Sequence, residues 1–264
     1  MVVADLHAHT TASDGTMTLE TLPRVADEAG VEVVAVTDHD RFHPGLDAPA
    51  SELDGVTVVR GIELRVDAGF EELDLLGYGL VETDDLRAEC ERLQRNRVER
   101  GREIVERVEA ETGAELGIEP REGLGRPHIA RAIAESDAGY DYEGAFEHLI
   151  GDDGPCYVGR DVTSFDRGVD LLSDACPVVG LAHPFRYEDP EAALALCEHL
   201  DAVERFYPYG DRGEDDPERV EAVAAEHDLL LTGGSDAHGE EIGLAGLDGD
   251  GWERVRARLG EPRT

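Results

Sequence analysis

The chain has 264 residues, with 61 Asp and Glu against 24 basic residues for a formal net charge of −37, and no lysine occurs, so every fixed side-chain cation is arginine. Hydrophobic residues at 41% can build a sizeable core, which excludes a disordered chain, and a chain this acidic lacks the basic face that a grip on duplex nucleic acid requires. Self-repulsion on this scale is relieved where the Debye length shrinks to about 3 Å near 1 M salt, so the composition predicts a protein adapted to a very salty cytoplasm.

The elements alternate along the chain. A first strand is predicted near Val2 to Leu6, then a helix capped by Thr18 and ending at Gly30, then strands at Val31 to Thr37, Val56 to Gly61 and Leu73 to Tyr78. From about Thr83 to Pro155 the rhythm breaks. That stretch holds a long charged helix to about Thr112, a Gly- and Pro-rich turn around Glu119 to Pro127, and two short helices ending near Ile150. Strands resume after a helix capped by Ser164 or Thr163 and running to Ala175: Val178 to Ala182, Ala202 to Phe206 and Leu229 to Thr232. Seven strands joined mostly by helices predict an α/β fold with a largely parallel sheet, residues 1–82 and 156–264, interrupted by a small helical subdomain at 83–155 expected over the barrel mouth.

Cys90, Cys156, Cys176 and Cys197 are widely spaced and form no C-x-x-C pair, which predicts buried thiols in a reducing compartment rather than a disulfide frame or zinc knuckle. No signal peptide precedes Asp5 and no apolar run approaches the roughly 18 residues of a membrane span, so a soluble, cytoplasmic protein without a membrane partner is expected.

The chemistry collects just after the predicted strands, the end at which parallel α/β barrels carry their active sites. His7 and His9 stand two apart on an extended segment and so point to one side, able to share an ion. Asp14 follows in Ser13-Asp14-Gly15. Thr37-Asp38-His39-Asp40 puts an imidazole between carboxylates, an arrangement suited to a ligand histidine held by an acceptor behind it. Glu63 sits among apolar strand residues, where burial without a cation is expensive. His183 ends the fifth strand, and Asp236 and His238 end the seventh as a second i, i+2 pair. Taken singly each is an ordinary turn or core residue, but together they exceed what one ion needs. Two or three divalent ions are expected, manganese first with iron or zinc as alternatives, since imidazoles and carboxylates without thiolate suit these ions better than calcium or magnesium.

His7-Ala8-His9-Thr10, Ser13-Asp14-Gly15, Thr37-Asp38-His39, Gly61-Ile62-Glu63, Ala182-His183-Pro184 and Ser235-Asp236-Ala237-His238 occur in the order found in the PHP (polymerase and histidinol phosphatase) superfamily of metal-dependent phosphoesterases, which the chain resembles over most of its length. The resemblance implies a distorted seven-stranded (β/α)7 barrel and a trinuclear site. His7, His9, Glu63 and Asp236 would then hold one ion, Glu63 and His183 a second, and Asp14, His39 and His238 a third. One position departs from the pattern: Asp74 stands where the family usually has histidine, a harder ligand for the second site.

The insert, with Gly125-Arg126-Pro127-His128, resembles the branch that removes phosphate from 5′-AMP or 3′,5′-nucleoside bisphosphates or trims short RNA. Arg97 and Arg100 share a helix face, and these two with Arg126 and His128 are the expected substrate-binding residues, since guanidinium forks pair with phosphate oxygens; pairing with Glu99 and Glu103 is the competing expectation. Asp236, as a ligand, and His128, as proton donor to the leaving oxygen, are the expected catalytic residues. The expected partner is a small phosphorylated substrate or a short RNA end, with no obligate protein partner. Histidinol phosphate or another sugar or lipid phosphate, an amidohydrolase reaction without a carboxylated lysine, and a non-catalytic PHP accessory module remain alternatives.

Overall fold

The computed structural model describes residues 1–210 and 216–260. They divide into two compact units, Met1–Ala88 with Val162–Thr264, and Glu89–Asp161. The division therefore falls a few residues later at both ends than the sequence pattern suggests.

The first unit is a mixed α/β fold around a curled sheet. Its main path runs through β1 (Ala4–Ala8), β2 (Val33–Val36), β4 (Val56–Asp67), β5 (Glu72–Tyr78), β7 (Val178–Leu181), β8 (Ala202–Phe206) and β9 (Leu230–Gly233), seven strands in that order. Two short strands absent from the sequence reading, β3 (Ala50–Leu53) and β6 (Thr163–Ser164), pair with the two ends of β4. A bridge from Ala8 to Ala237 ties the first strand to the segment that follows the last.

The sheet is less parallel than expected. β5 runs antiparallel to both β4 and β7. A parallel neighbour would need a crossover of a dozen or more residues, whereas only 68–71 separate β4 from β5. That link turns tightly: Gly69 has φ 84° and donates its N–H to Asp67 Oδ1 at 2.7 Å. Because β5 is reversed, its beginning lies beside the C-terminal end of β7, where Ala182 donates to the carbonyl of Asp74 at 3.0 Å.

Alternation along the strands feeds two cores. Val33 and Ala35 of β2 pack with Leu6, Val59, Leu76, Tyr78 and Trp252 of α8 (Gly249–Leu259), while Val34 and Val36 pack with Leu22, Val25 and Ala26 of α1 (Leu22–Ala29). Burial on both faces explains why these strands read as continuous apolar runs. α1 begins later than expected, since Thr18 and Thr21 exchange backbone-to-hydroxyl hydrogen bonds in a turn before it, and Gly30 ends it at φ 70°. Ser164 occupies the N-cap of α5 (Phe165–Ala175) without a side-chain capping bond. No described helix is long and apolar enough to cross a membrane.

The second unit holds most of α2 (Asp84–Thr112), then α3 (Arg126–Glu135), α4 (Tyr142–Ala145) and a π-helical turn at Phe146–Ile150. Its own core joins Ile104, Val108, Leu124, Ile129, Ile133, Leu149 and Ile150. All four cysteines are free and buried.

Candidate metal centre

The curled sheet brings the singled-out residues of the first unit to one end. His7 lies in β1 and His9 just beyond it; Glu63 lies in β4 and Asp74 near the start of the reversed β5; His39, His183, Asp236 and His238 follow β2, β7 and β9. His183 and Asp236 adopt φ 27° and 50°, a backbone region that side chains with a Cβ seldom enter. Such strain persists only where the surroundings hold it.

Glu63 is the hub. Its Oε1 lies 3.3 Å from Nε2 of His7 and 3.3 Å from Nε2 of His183, and its Oε2 lies 3.4 Å from Nε2 of His9 and 2.7 Å from Nδ1 of His39. Asp236 Oδ1 stands 3.0 Å from His9 Nε2 and 3.5 Å from His7 Nε2. Asp14 Oδ1 stands 3.4 Å from His238 Nε2 and 3.7 Å from His39 Nε2. Among the described residues three overlapping groups could each hold an ion: His7, His9 and Glu63; His9, Asp14, His39 and His238; and Glu63, Asp74 and His183. His9 thus contributes to two groups, where the resemblance gave it one.

These donors fit divalent cations. Buried His7 Nε2 and Asp14 Oδ1 make no hydrogen bond, a cost that polar atoms seldom bear unless a cation or other partner meets them. The donor set mixes imidazole nitrogen and carboxylate oxygen with no thiolate, as zinc, manganese and iron accept.

Further side chains fix this cluster. Glu204, fully buried, lies 3.1 Å from His7 Nδ1 and accepts the N–H of His183 at 2.8 Å, which leaves His7 Nε2 directed at Glu63 and Asp236. Asp5 accepts from Ser235 N and Oγ and from Gly243 N, tying β1 to the segment that carries Asp236. Asp38, beside His39, serves the neighbouring loop. Its carboxylate accepts from Thr10 N at 2.8 Å, Thr10 Oγ1 at 2.8 Å and Ser13 Oγ at 2.6 Å, and so shapes the loop bearing Asp14. Asp236 Oδ2 accepts from Arg186 and Tyr207, each at 2.9 Å. Glu204 carries the same signal as Glu63, an acid in an apolar strand; Arg186 ends a 3-10 turn at Pro184–Arg186 and Tyr207 sits in a loop, where no periodicity marks them.

Burial opposes charge on every group here, yet mutual attraction outweighs it for most. Burial would raise Glu63, but the imidazoles of His39, His7 and His183 hold it well below the usual carboxylate range. Burial likewise opposes ionisation of Asp236 and Asp14, and His7 and His9 beside the one and His39 and His238 beside the other hold both low. His7 is held well above the ordinary imidazole value: burial pulls it down, and Glu204, Asp236 and Glu63 together overcome that. His9 is pushed down by burial and by the nearby imidazole of His39.

The remaining predicted residues belong to the second unit. Arg97 is buried in α2. Arg100 donates from Nε to the carbonyl of Val158 at 2.7 Å, and burial among Arg126, Arg160 and Arg97 brings its pKa down to about 10. Arg126 binds Asp152 at 2.6 Å and lies over the Tyr157 ring. His128, in the first turn of α3, accepts the N–H of Gly125 at Nδ1, 3.1 Å away.

A curled sheet carrying overlapping imidazole and carboxylate groups at its strand ends defines a metal-dependent hydrolase. The family model described as the PHP domain matches residues 5–173, and the chain belongs to that family. It is 27% identical to the 3′,5′-nucleoside bisphosphate phosphatase of Chromobacterium violaceum over 99% of both chains. It is 32% identical to the phosphoribosyl 1,2-cyclic phosphate 1,2-diphosphodiesterase of Eggerthella lenta, covering 90% of this chain and 95% of that one. It is 28% identical to the 5′-3′ exoribonuclease Rnm of Salmonella typhimurium, covering 90% and 85%. A candidate metal-dependent phosphoesterase from Bifidobacterium adolescentis shares the fold at a TM-score of 0.78 and 24% identity, over 97% of this chain and 96% of that one.

Proposed function

We propose that the protein is a metal-dependent phosphoesterase that removes phosphate from small nucleotides, 5′-AMP or a 3′,5′-nucleoside bisphosphate, or from the ends of short oligoribonucleotides. The observation that carries this reading is Glu63, one carboxylate within 3.4 Å of His7, His9, His39 and His183 and shared by two of the three potential metal groups. Divalent ions held there, manganese in preference to iron or zinc, would supply the Lewis acidity that ionises an attacking water and takes up charge on the phosphoryl oxygens.

The chain's own residues do the rest. Glu204 fixes the orientation of His7; Arg186 and Tyr207 hold Asp236 so that Oδ1 faces the imidazoles. The half-exposed guanidinium of Arg186 is placed to pair with a phosphoryl oxygen as negative charge grows on it. In the second unit the crowding of Arg97, Arg100 and Arg126 supports their assignment to a substrate phosphate, because like charges packed together gain most from an anion. His128 is assigned to protonate the leaving oxygen. Four buried free thiols and 61 acidic residues without lysine support a reducing, salt-rich cell interior as the place of action.

A second reading has specific support in the 32% identity to the Eggerthella lenta enzyme: hydrolysis of a cyclic phosphodiester on a sugar. Phosphate release in high salt with added Mn2+ separates the two, using AMP, adenosine 3′,5′-bisphosphate, short oligoribonucleotides, phosphoribosyl 1,2-cyclic phosphate and histidinol phosphate. Turnover of the nucleotides or oligonucleotides alone supports the first reading, and turnover of the cyclic sugar phosphate alone supports the second. No release from any of them contradicts both.

A further inference from the structure

Asp74, a candidate donor beside Glu63 and His183, is held in an ion pair. The β4–β5 register sets Arg65 directly opposite Asp74, and Arg65 lies two residues beyond Glu63 on the same strand face. Its Nε meets Asp74 Oδ1 at 2.7 Å and its terminal nitrogen meets Oδ2 at 2.6 Å, so one fork pairs with both oxygens. The pair is held in place from the other side: Tyr187 Oη accepts the backbone N–H of Asp74 at 2.9 Å and donates to the carbonyl of Ala182.

Asp236 makes an instructive contrast. It too meets an arginine, but through Oδ2 alone, while Oδ1 faces His7 and His9 and stays open to an ion. Asp74 has no such division. The group Glu63, Asp74 and His183 therefore carries a fixed positive charge 2.6 Å from one of its own candidate donors, and His183 Nε2 is 3.7 Å from the same Oδ2. A guanidinium does not give up its proton at any ordinary pH, so this charge cannot be removed by titration. In the groups His7, His9 and Glu63, and His9, Asp14, His39 and His238, the carboxylates face imidazoles.

We propose that Arg65 stands in for a metal ion. It neutralises Asp74 and keeps the Glu63–Asp74–His183 position from holding a divalent cation tightly, so that the centre retains two ions and exchanges the third. This inference rests on the reading of the cluster as a metal centre.

The test counts metal. The full-length protein is loaded with Mn2+ or, separately, Zn2+, passed through a desalting column in high salt and analysed for bound ions, with calorimetric titration of the stripped protein alongside. Wild type is expected to retain about two ions per chain and to take up the next one about tenfold or more weakly. Arg65→Met, which keeps the stem and removes the charge, is expected to retain about three. Asp74→Asn is expected to stay at about two, since the carboxylate it removes holds no firm ion. Three equally tight ions in wild type overturn the inference even if neither variant folds, as does an unchanged count in a folded Arg65→Met. Retention of no ions at all overturns the metal-centre reading and this inference with it, an outcome distinct from three tight ions, which leaves that reading standing.

Discussion

The carboxylate of Glu204 lies 3.1 Å behind Nδ1 of His7 and at the same time receives the backbone N–H of His183 at 2.8 Å. One buried acid thus fixes two donors on strands separated by most of the chain. A ligand imidazole whose far nitrogen is held in this way keeps one tautomer and presents its other lone pair. Glu204→Gln preserves the shape and weakens the hold on His7. Its metal affinity is expected to fall by about 10–100-fold, read by competition with a chelating dye, while circular dichroism stays that of wild type.

Proton competition follows from the charge around His7. In the metal-free protein its folded value is held well above the ordinary imidazole range, against burial, by Glu204, Asp236 and Glu63. The ring therefore remains protonated at pH values where a free imidazole is neutral. An imidazole binds a metal only as the neutral base, so ion binding must expel that proton. Apparent affinity should rise with pH through the raised value and level off above it. Adding Mn2+ in weak buffer near neutral pH should acidify the solution, and the release should shrink at higher pH. Affinity independent of pH between about 6 and 8 contradicts the electrostatic account.

Gly234 tests how tightly the last strand is pressed against the first. A Cβ there would come within 2.3 Å of the backbone nitrogen and 2.4 Å of the Cβ of His7, neither of which can give way without shifting β1. Gly234→Ala is expected to destabilise the fold by about 1–3 kcal/mol through overpacking and to weaken metal binding, because both His7 and Asp236 lie within two residues of the clash. Denaturant unfolding in high salt measures the first effect and ion retention the second.

Much of this was readable from the sequence for a physical reason. Strands buried on both faces announce themselves as apolar runs, and all seven strands of the main path were visible in that way. Donors at their ends, such as His183 after Leu181, inherit a position from the strand. What the sequence concealed depends on pairing. The reversal of β5 rests on a four-residue link, too short for a parallel crossover. The Arg65–Asp74 fork exists only because the β4–β5 register places the two opposite each other. The carboxylate of Asp38 bonds to Thr10 and Ser13, residues remote in sequence but adjacent through the β1–β2 pairing. Glu204, like Glu63, is an acid among apolar strand residues, whose burial demands a partner.

The central claim is that Glu63 joins separate imidazoles around shared divalent ions, and Glu63→Gln tests it most directly. The substitution keeps the volume and removes the charge at the point where His7, His9, His39 and His183 converge. Metal content after desalting and phosphate release from the best substrate should fall together, activity by about a hundredfold or more, in a protein whose circular dichroism spectrum is unchanged. A folded Glu63→Gln protein that keeps its full complement of ions and its activity would contradict the account.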